Sequence, residues 1–186
     1  MAARDELLTE RLRLRRWRPA DAAPIAAINR DPEVARFLNN PAAQEGFYER
    51  ALDHWSTHGF GWWAVERLGD ARFIGFVGVA YPTFLPEVAD TPELGWRLAS
   101  AAWGRGYATE AAIAARDDAF ARLGLPSLIS IIHPENARSQ RVARKLGMSV
   151  GRRVHHAARG LDVDIWETGL RPAPRAARAG RDGRRR

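Results

Sequence analysis

The sequence predicts one α+β domain of mixed α/β type, with antiparallel hairpins flanking a strand–helix–strand crossover. Two apolar segments, Trp62 to Arg67 and Arg72 to Tyr81, are joined by a Leu68-Gly69-Asp70 turn and read as a hairpin. An Ala-rich helix, Tyr107 to Leu123, separates two apolar strands at Glu93 to Leu98 and Ser127 to Ile132. A hydrophobic content of 46% over 186 residues is enough for one core.

The other elements follow in order. Leu7 to Trp17 reads as a first strand with Leu8, Leu12, Leu14 and Trp17 apolar. Pro19 and Asp21 open a helix carrying Ile25 and Ile28, and a short helical piece follows Asp31-Pro32. Glu45 to His58 places Phe47, Ala51, Leu52 and Trp55 on one helical stripe. A Pro-rich loop leads into the Glu93 strand, and Gly124 and Pro126 end the Ala-rich helix. Asn136 to Leu146 is a helix with Gly147 as its C-cap, before strands at Val150 to His156 and Leu161 to Gly169. The count is about seven strands. Trp17, Trp55, Trp96 and Trp166 are expected in the core, while Trp62 or Trp63 is placed to line an acceptor pocket.

The net charge of +7 is unevenly spread. Residues 171–186, RPAPRAARAGRDGRRR, hold seven Arg and one Asp, leaving +1 for the first 170 residues. Residues 1–170 are therefore read as the domain and 171–186 as a disordered Arg-rich tail. The tail's charge is weak evidence for nucleic acid, so a nucleic-acid partner is expected only through this tail, if at all. No cysteine is present, which removes disulfides, thiolate metal sites and a cysteine acyl-enzyme. No segment approaches the roughly 20 apolar residues of a membrane span, and Met1 to Glu10 lacks a secretory h-region. A cytoplasmic protein without a membrane partner, monomeric or homodimeric, is the expectation. No metal site is expected: His54 and His58 have i, i+4 spacing, but Trp55 follows His54 and no third ligand is in view. Gly147-Met148-Ser149-Val150-Gly151 matches a nucleophile elbow by chance, because Gly147 ends a helix and Ser149 starts a strand.

Ala99 to Thr109, ASAAWGRGYAT, connects a strand to the Ala-rich helix. Gly104 and Gly106 allow tight turns and Ala108 keeps the first helical turn small, so several N–H groups can face one anion, favoured by the helix dipole. Chain reversal alone explains the glycines equally well. A dinucleotide loop would need a third glycine where Thr109 stands, and no G-K-[ST] triplet exists for a Walker loop. The third option is a coenzyme A loop, [QR]-x-x-G-x-[GA], with Gly106 and Ala108 in its last two positions and Trp103 where Gln or Arg is commonest.

Context decides between these. ELGWRLASAAWGRGYATEAA, Glu93 to Ala112, resembles the GNAT superfamily, in the branch of the ribosomal-protein N-terminal (alanine/serine) acetyltransferases, where W-G-[KR]-G-Y-A-T-E-A is characteristic. HPENARSQRVARKLGM, His133 to Met148, resembles the same branch's N-x-x-S and K-L-G-[FM]. The resemblance implies a central mixed, mostly antiparallel sheet, splayed in the middle and flanked by helices. It implies acetyl-CoA as co-substrate, with its pantetheine arm on Trp96, Arg97 and Leu98 and its pyrophosphate on the loop of Trp103, Gly104, Arg105, Gly106, Tyr107, Ala108 and Thr109. Asn136 would contact the arm and Ser139 would protonate the leaving thiolate, since the Tyr common in the superfamily is replaced by Ala143. Read locally, Asn136 is a helix N-cap and Ser139 a first-turn residue. Glu93 is the first choice of base, against the reading of a solvated strand-end charge, with Glu66, Glu87 and His133 in reserve. The acceptor is an amine, on a protein N-terminus or a small molecule. The alternative is a non-catalytic CoA-binding sensor or a ribosome- or RNA-associated module.

Overall fold

The computed structural model describes residues 4–38, 45–157 and 160–168. The Arg-rich tail assigned from sequence lies outside the described residues.

One eight-stranded sheet runs in the order β1-β2-β3-β4-β5-β6-β8-β7. Its strands are β1 (Glu6–Leu8), β2 (Leu12–Arg15), β3 (Trp62–Arg67), β4 (Phe73–Ala80), β5 (Glu93–Leu98), β6 (Ile129–Ile132), β7 (Met148–His156) and β8 (Leu161–Thr168). The helices are α1 (Ala22–Arg30), α2 (Pro32–Ala35), α3 (Phe47–His58), α4 (Tyr107–Ala121) and α5 (Ala137–Lys145). All strand pairs are antiparallel except β5–β6, whose crossover contains α4.

The first predicted strand is two. Residues 9–11 turn the chain, and β1 and β2 pair with Leu7 opposite Leu14. Thr9 explains the break: its hydroxyl oxygen accepts from the Leu12 N–H at 3.0 Å, and its N–H donates to the Leu12 carbonyl at 2.9 Å. A polar side chain that bonds locally offers the backbone an alternative to extended pairing. Trp17 lies beyond β2 yet is buried. Leu52, expected on the buried stripe of α3, is 41% exposed, while Phe47, Ala51 and Trp55 are buried as expected. Four residues after Asp31, α2 is over, with Asp31 capping it through the Glu33 N–H.

β4 reads as a continuous apolar run because both its faces are covered: every residue from Ile74 to Ala80 is buried. Helix α4 packs Ala111, Ala112, Ala115 and Ala119 inward, and these small side chains let it lie close to β4 and β5. Gly75, opposite both Val65 and Leu98, sits at φ 131° where the β3–β4 register shifts. A Cβ there would meet the Arg97 carbonyl at 2.2 Å, so glycine is required. Such irregularities add twist, and this one lies level with the end of β5.

Beneath β2 and β3, Arg15, Asp21 and Glu66 form a buried ionic cluster. Arg15 donates to both Asp21 oxygens at 2.7 and 2.9 Å and to Glu66 at 2.9 Å. At the other end of β3, His54 accepts from the Tyr81 N–H through Nε2 at 3.1 Å. Its proton therefore sits on Nδ1, facing the Phe60 carbonyl at 2.8 Å. Burial pushes its pKa down, with the His58 ring adding to the shift.

Removing one member of the buried cluster strands the rest, so Asp21→Ala is expected to cost about 3–5 kcal/mol in urea unfolding. Glu33→Ala, which breaks the exposed 3.6 Å Glu33–Arg138 pair, should cost no more than about 1 kcal/mol. His54 folds more readily neutral than charged, so its contribution is complete above the unfolded histidine pKa of about 6.5 and is lost as pH falls below it. In thermal melts, the stability advantage of wild type over His54→Ala should shrink as pH drops through that region.

Candidate active site

Strands β5 and β6 share one register pair, Glu93 with Ile129, and then part. The Ile129 N–H donates to the Pro92 carbonyl at 3.0 Å, so even-numbered backbone groups of β5 face β6 and odd-numbered ones face β4. Ala99 agrees, its N–H donating to Ile74 on the β4 side at 2.9 Å. Two even-numbered carbonyls are taken by side chains: Ser130 Oγ donates to Leu94 at 2.6 Å and Trp103 Nε1 to Leu98 at 2.9 Å. The N–H and C=O of Trp96 and the N–H of Leu98 are left pointing into the split.

The split opens into a cleft of about 610 Å³. Of the residues singled out from sequence, Glu93, Trp96, Arg97, Leu98, Trp103, Gly104, Gly106, Tyr107, Ala108, Thr109, Asn136 and Ser139 line it together. Arg105 does not. It is exposed on the outside of the loop, where its carbonyl accepts from Arg11 at 3.0 Å. Arg97 lines the cleft with its side chain, while its backbone pairs with Phe76 of β4. Trp96 is half-buried in the cleft wall rather than in the core.

The loop before α4 has the form an anion needs. Gly104 and Gly106 take φ values of 74° and 81°, open to glycine at little cost. The helical ladder starts with Glu110 N–H to the Gly106 carbonyl, so Tyr107, Ala108 and Thr109 have N–H groups without helical acceptors. Among the described residues, no protein group accepts from the N–H of Gly104, Arg105 or Gly106 either. Glu110 holds this end in place, accepting from Thr9 Oγ1 at 2.6 Å, the Arg11 N–H at 2.9 Å and Arg11 Nε at 2.7 Å. Burial pushes the Glu110 pKa up, but these hydrogen bonds and the Arg11 charge outweigh it and hold the group below the ordinary range.

Helix α5 forms the facing wall. Asn136 Oδ1 caps it by accepting from the Ser139 N–H at 3.1 Å, so the local reading of Asn136 describes its oxygen correctly. Ser139 and Val142 line the cleft, whereas Ala143, at the place of the common tyrosine, is fully buried in the core. Arg138, Arg141 and Lys145 also line it, and Arg138 lies 4.5 Å over the Trp103 ring. Sequence reasoning passed over these cations, although their three- and four-residue spacing on one helical face was readable.

Glu93 is half-buried at the head of β5, and its Oε1 takes a long 3.4 Å contact from the Ile131 N–H across the split. Glu66 is no reserve base, being committed to Arg15 beneath the sheet. Glu87 is exposed outside the cleft, whereas His133 lines it.

The profile of the acetyltransferase (GNAT) domain matches residues 11–149. The chain belongs to the GNAT acetyltransferase family. YkkB of Bacillus subtilis, an uncharacterized protein, is 30% identical over 154 residues, spanning 80% of this chain and 87% of YkkB. The crystal structure of the acetyltransferase from Agrobacterium tumefaciens shares its fold with a TM-score of 0.78 at 29% identity, over 91% of this chain and 97% of that one. The ribosomal-protein-S5-alanine acetyltransferase of Vibrio fischeri superposes with a TM-score of 0.66 at 20% identity, over 88% and 95%, a likeness of fold alone. In this GNAT protein the loop, the split and α5 therefore stand on the elements where the motifs placed them.

Glu110→Ala should cost about 1–3 kcal/mol in denaturant, since it removes hydrogen bonds to a charged group. A carboxylate held below its ordinary pKa stabilises above the unfolded value of about 4.3 and ceases to do so as pH falls through its folded value. The difference between wild type and Glu110→Ala should therefore vanish in acid, which a pH series of urea midpoints measures.

Proposed function

We propose that this chain is an acetyl-CoA-dependent N-acetyltransferase acting on a primary amine by direct attack in a ternary complex. The observation that carries the reading is the split beyond Glu93–Ile129, with unaccepted amides at its mouth and a carboxylate at its head. The family's co-substrate fits these residues. Loop N–H groups at 104–109 suit a pyrophosphate, Arg138, Arg141 and Lys145 suit the remaining phosphate charge, and Trp96 suits an extended pantetheine amide. Acetyl-CoA supplies an activated acetyl thioester.

Residues of this chain do the rest. The Leu98 N–H polarises the thioester carbonyl and takes up the negative charge that develops on its oxygen. Glu93 accepts the proton lost by the amine nitrogen as the N–C bond forms, directly or through water. Ser139 Oγ donates a proton to the sulfur as the C–S bond breaks, and recovers one from solvent. Holding amine and thioester together at the split adds the advantage of proximity.

Thiol release measured with a panel of amines tests this reading. Glu93→Gln should lower kcat by about 100-fold. Ser139→Ala should lower kcat less. Replacing Arg138 and Arg141 together by Ala should raise the KM for acetyl-CoA about tenfold, equivalent to 1.4 kcal/mol, and reduce its salt dependence. Saturable acetyl-CoA binding without thiol release from any amine would favour the sensor instead.

A further inference from the structure

Trp103 is half-buried where the chain leaves β5 for α4, and both parts of its side chain are engaged. Its Nε1–H donates to the Leu98 carbonyl at 2.9 Å, and the Arg138 guanidinium lies 4.5 Å over its ring. A tight turn brings the indole back to the strand it has just left. In that turn the Ala102 N–H donates to the Ala99 carbonyl at 2.9 Å and the Trp103 N–H to the Ser100 carbonyl at 3.0 Å. Ala102 is buried and anchors it.

The indole bond changes what the edge of β5 offers a ligand. The N–H and C=O of one strand residue point to the same side, so Trp96 presents a donor and an acceptor to the split. Leu98, two residues or about 6.6 Å further along, would present the same pair. With its carbonyl taken by Trp103, Leu98 presents its N–H alone. An amide has an N–H and a C=O, and it matches Trp96. A thioester has a carbonyl and no N–H, and it matches Leu98.

We infer that Trp103 is a positioning residue that sets the register of the acyl donor on β5, an inference that rests on the acetyl-transfer reading. By holding the Leu98 carbonyl, its indole N–H reserves Leu98 for the thioester and sends the neighbouring amide to Trp96. Without that N–H the two positions are alike. The two amides of a pantetheine arm then pair at Trp96 and Leu98 together, one hydrogen bond better than the reactive register, a preference of about fivefold. The thioester then stands about 6.6 Å from its place, too far for the Leu98 N–H to reach its oxygen.

Trp103→Phe tests this, since it keeps a ring beneath Arg138 and removes only the donor. Calorimetric titration of the full chain with acetyl-CoA, without amine, should show binding about fivefold tighter than wild type at an unchanged stoichiometry. Thiol release is then measured with the fastest of phenethylamine, spermidine and an N-terminal peptide. Both kcat and the KM for acetyl-CoA should fall about fivefold, leaving kcat/KM unaltered. A loop that had merely loosened would raise Kd and KM. Trp103→Gln, which restores a side-chain N–H, should recover about threefold or more in kcat over Trp103→Phe. Weaker or unchanged acetyl-CoA binding by Trp103→Phe, or equal kcat in the two variants, overturns the register role. Wild-type binding without thiol release from any of the amines removes the acetyl-transfer reading instead, and the calorimetric comparison still decides the register.

Discussion

A single register pair, Glu93 with Ile129, joins the two halves of this sheet, and the site exists because β5 and β6 go no further together. Each strand is fully engaged on its other side, β5 with β4 and β6 with β8, so neither is free to close the gap. Buried backbone groups without partners are costly, and the fold disposes of them one at a time. Ser130 takes the Leu94 carbonyl and Trp103 takes that of Leu98. What is left at Trp96 is one residue's worth of strand edge, a length that suits an extended amide-bearing ligand rather than another protein strand.

The opening joins two environments of different character. Toward α5 and the loop, it is lined by exposed cations and helix-terminal amides, which favour phosphate. Toward β3 and β4, it is lined by aromatic rings with the Glu93 carboxylate and the side chains of Arg50 and Arg97. The rigid parts around it keep these environments apart. Glu110 ties the start of α4 to the β1–β2 turn, His54 ties Tyr81 to α3, and Leu85 and Val88 bury the β4–β5 loop against β6 and β8. That loop carried no readable motif, yet it forms one rim of the cleft because two of its side chains have a core of their own.

Legibility in the sequence followed how local each cause was. Helix starts and stops, the Leu68-Gly69-Asp70 turn and the Gly147 C-cap depend on neighbouring residues, and they stand where chemistry of that range puts them. The β1–β2 turn was missed because its cause is a single threonine bonding to its own surroundings, inside an apolar pattern that otherwise continues. Leu52 fits a helical stripe by spacing, but it lies off the face that Phe47, Ala51 and Trp55 bury and stays 41% exposed. Glu66 was held in reserve as a base only because its partner Arg15 lies 51 residues away and cannot be seen along the chain.

By itself the sequence determined the element order, the glycine-bearing loop at the start of α4, and the motif residues that face one another across the split, because each follows from spacing or from backbone preference. Only the tertiary structure decided which β5 amides are left over, that Arg105 turns outward, that the cation-bearing face of α5 turns toward the split, and that Gly95 lies open between Trp62 and Glu93. Those outcomes depend on strand register and on contacts between residues far apart in the chain. Neither is written in any local pattern.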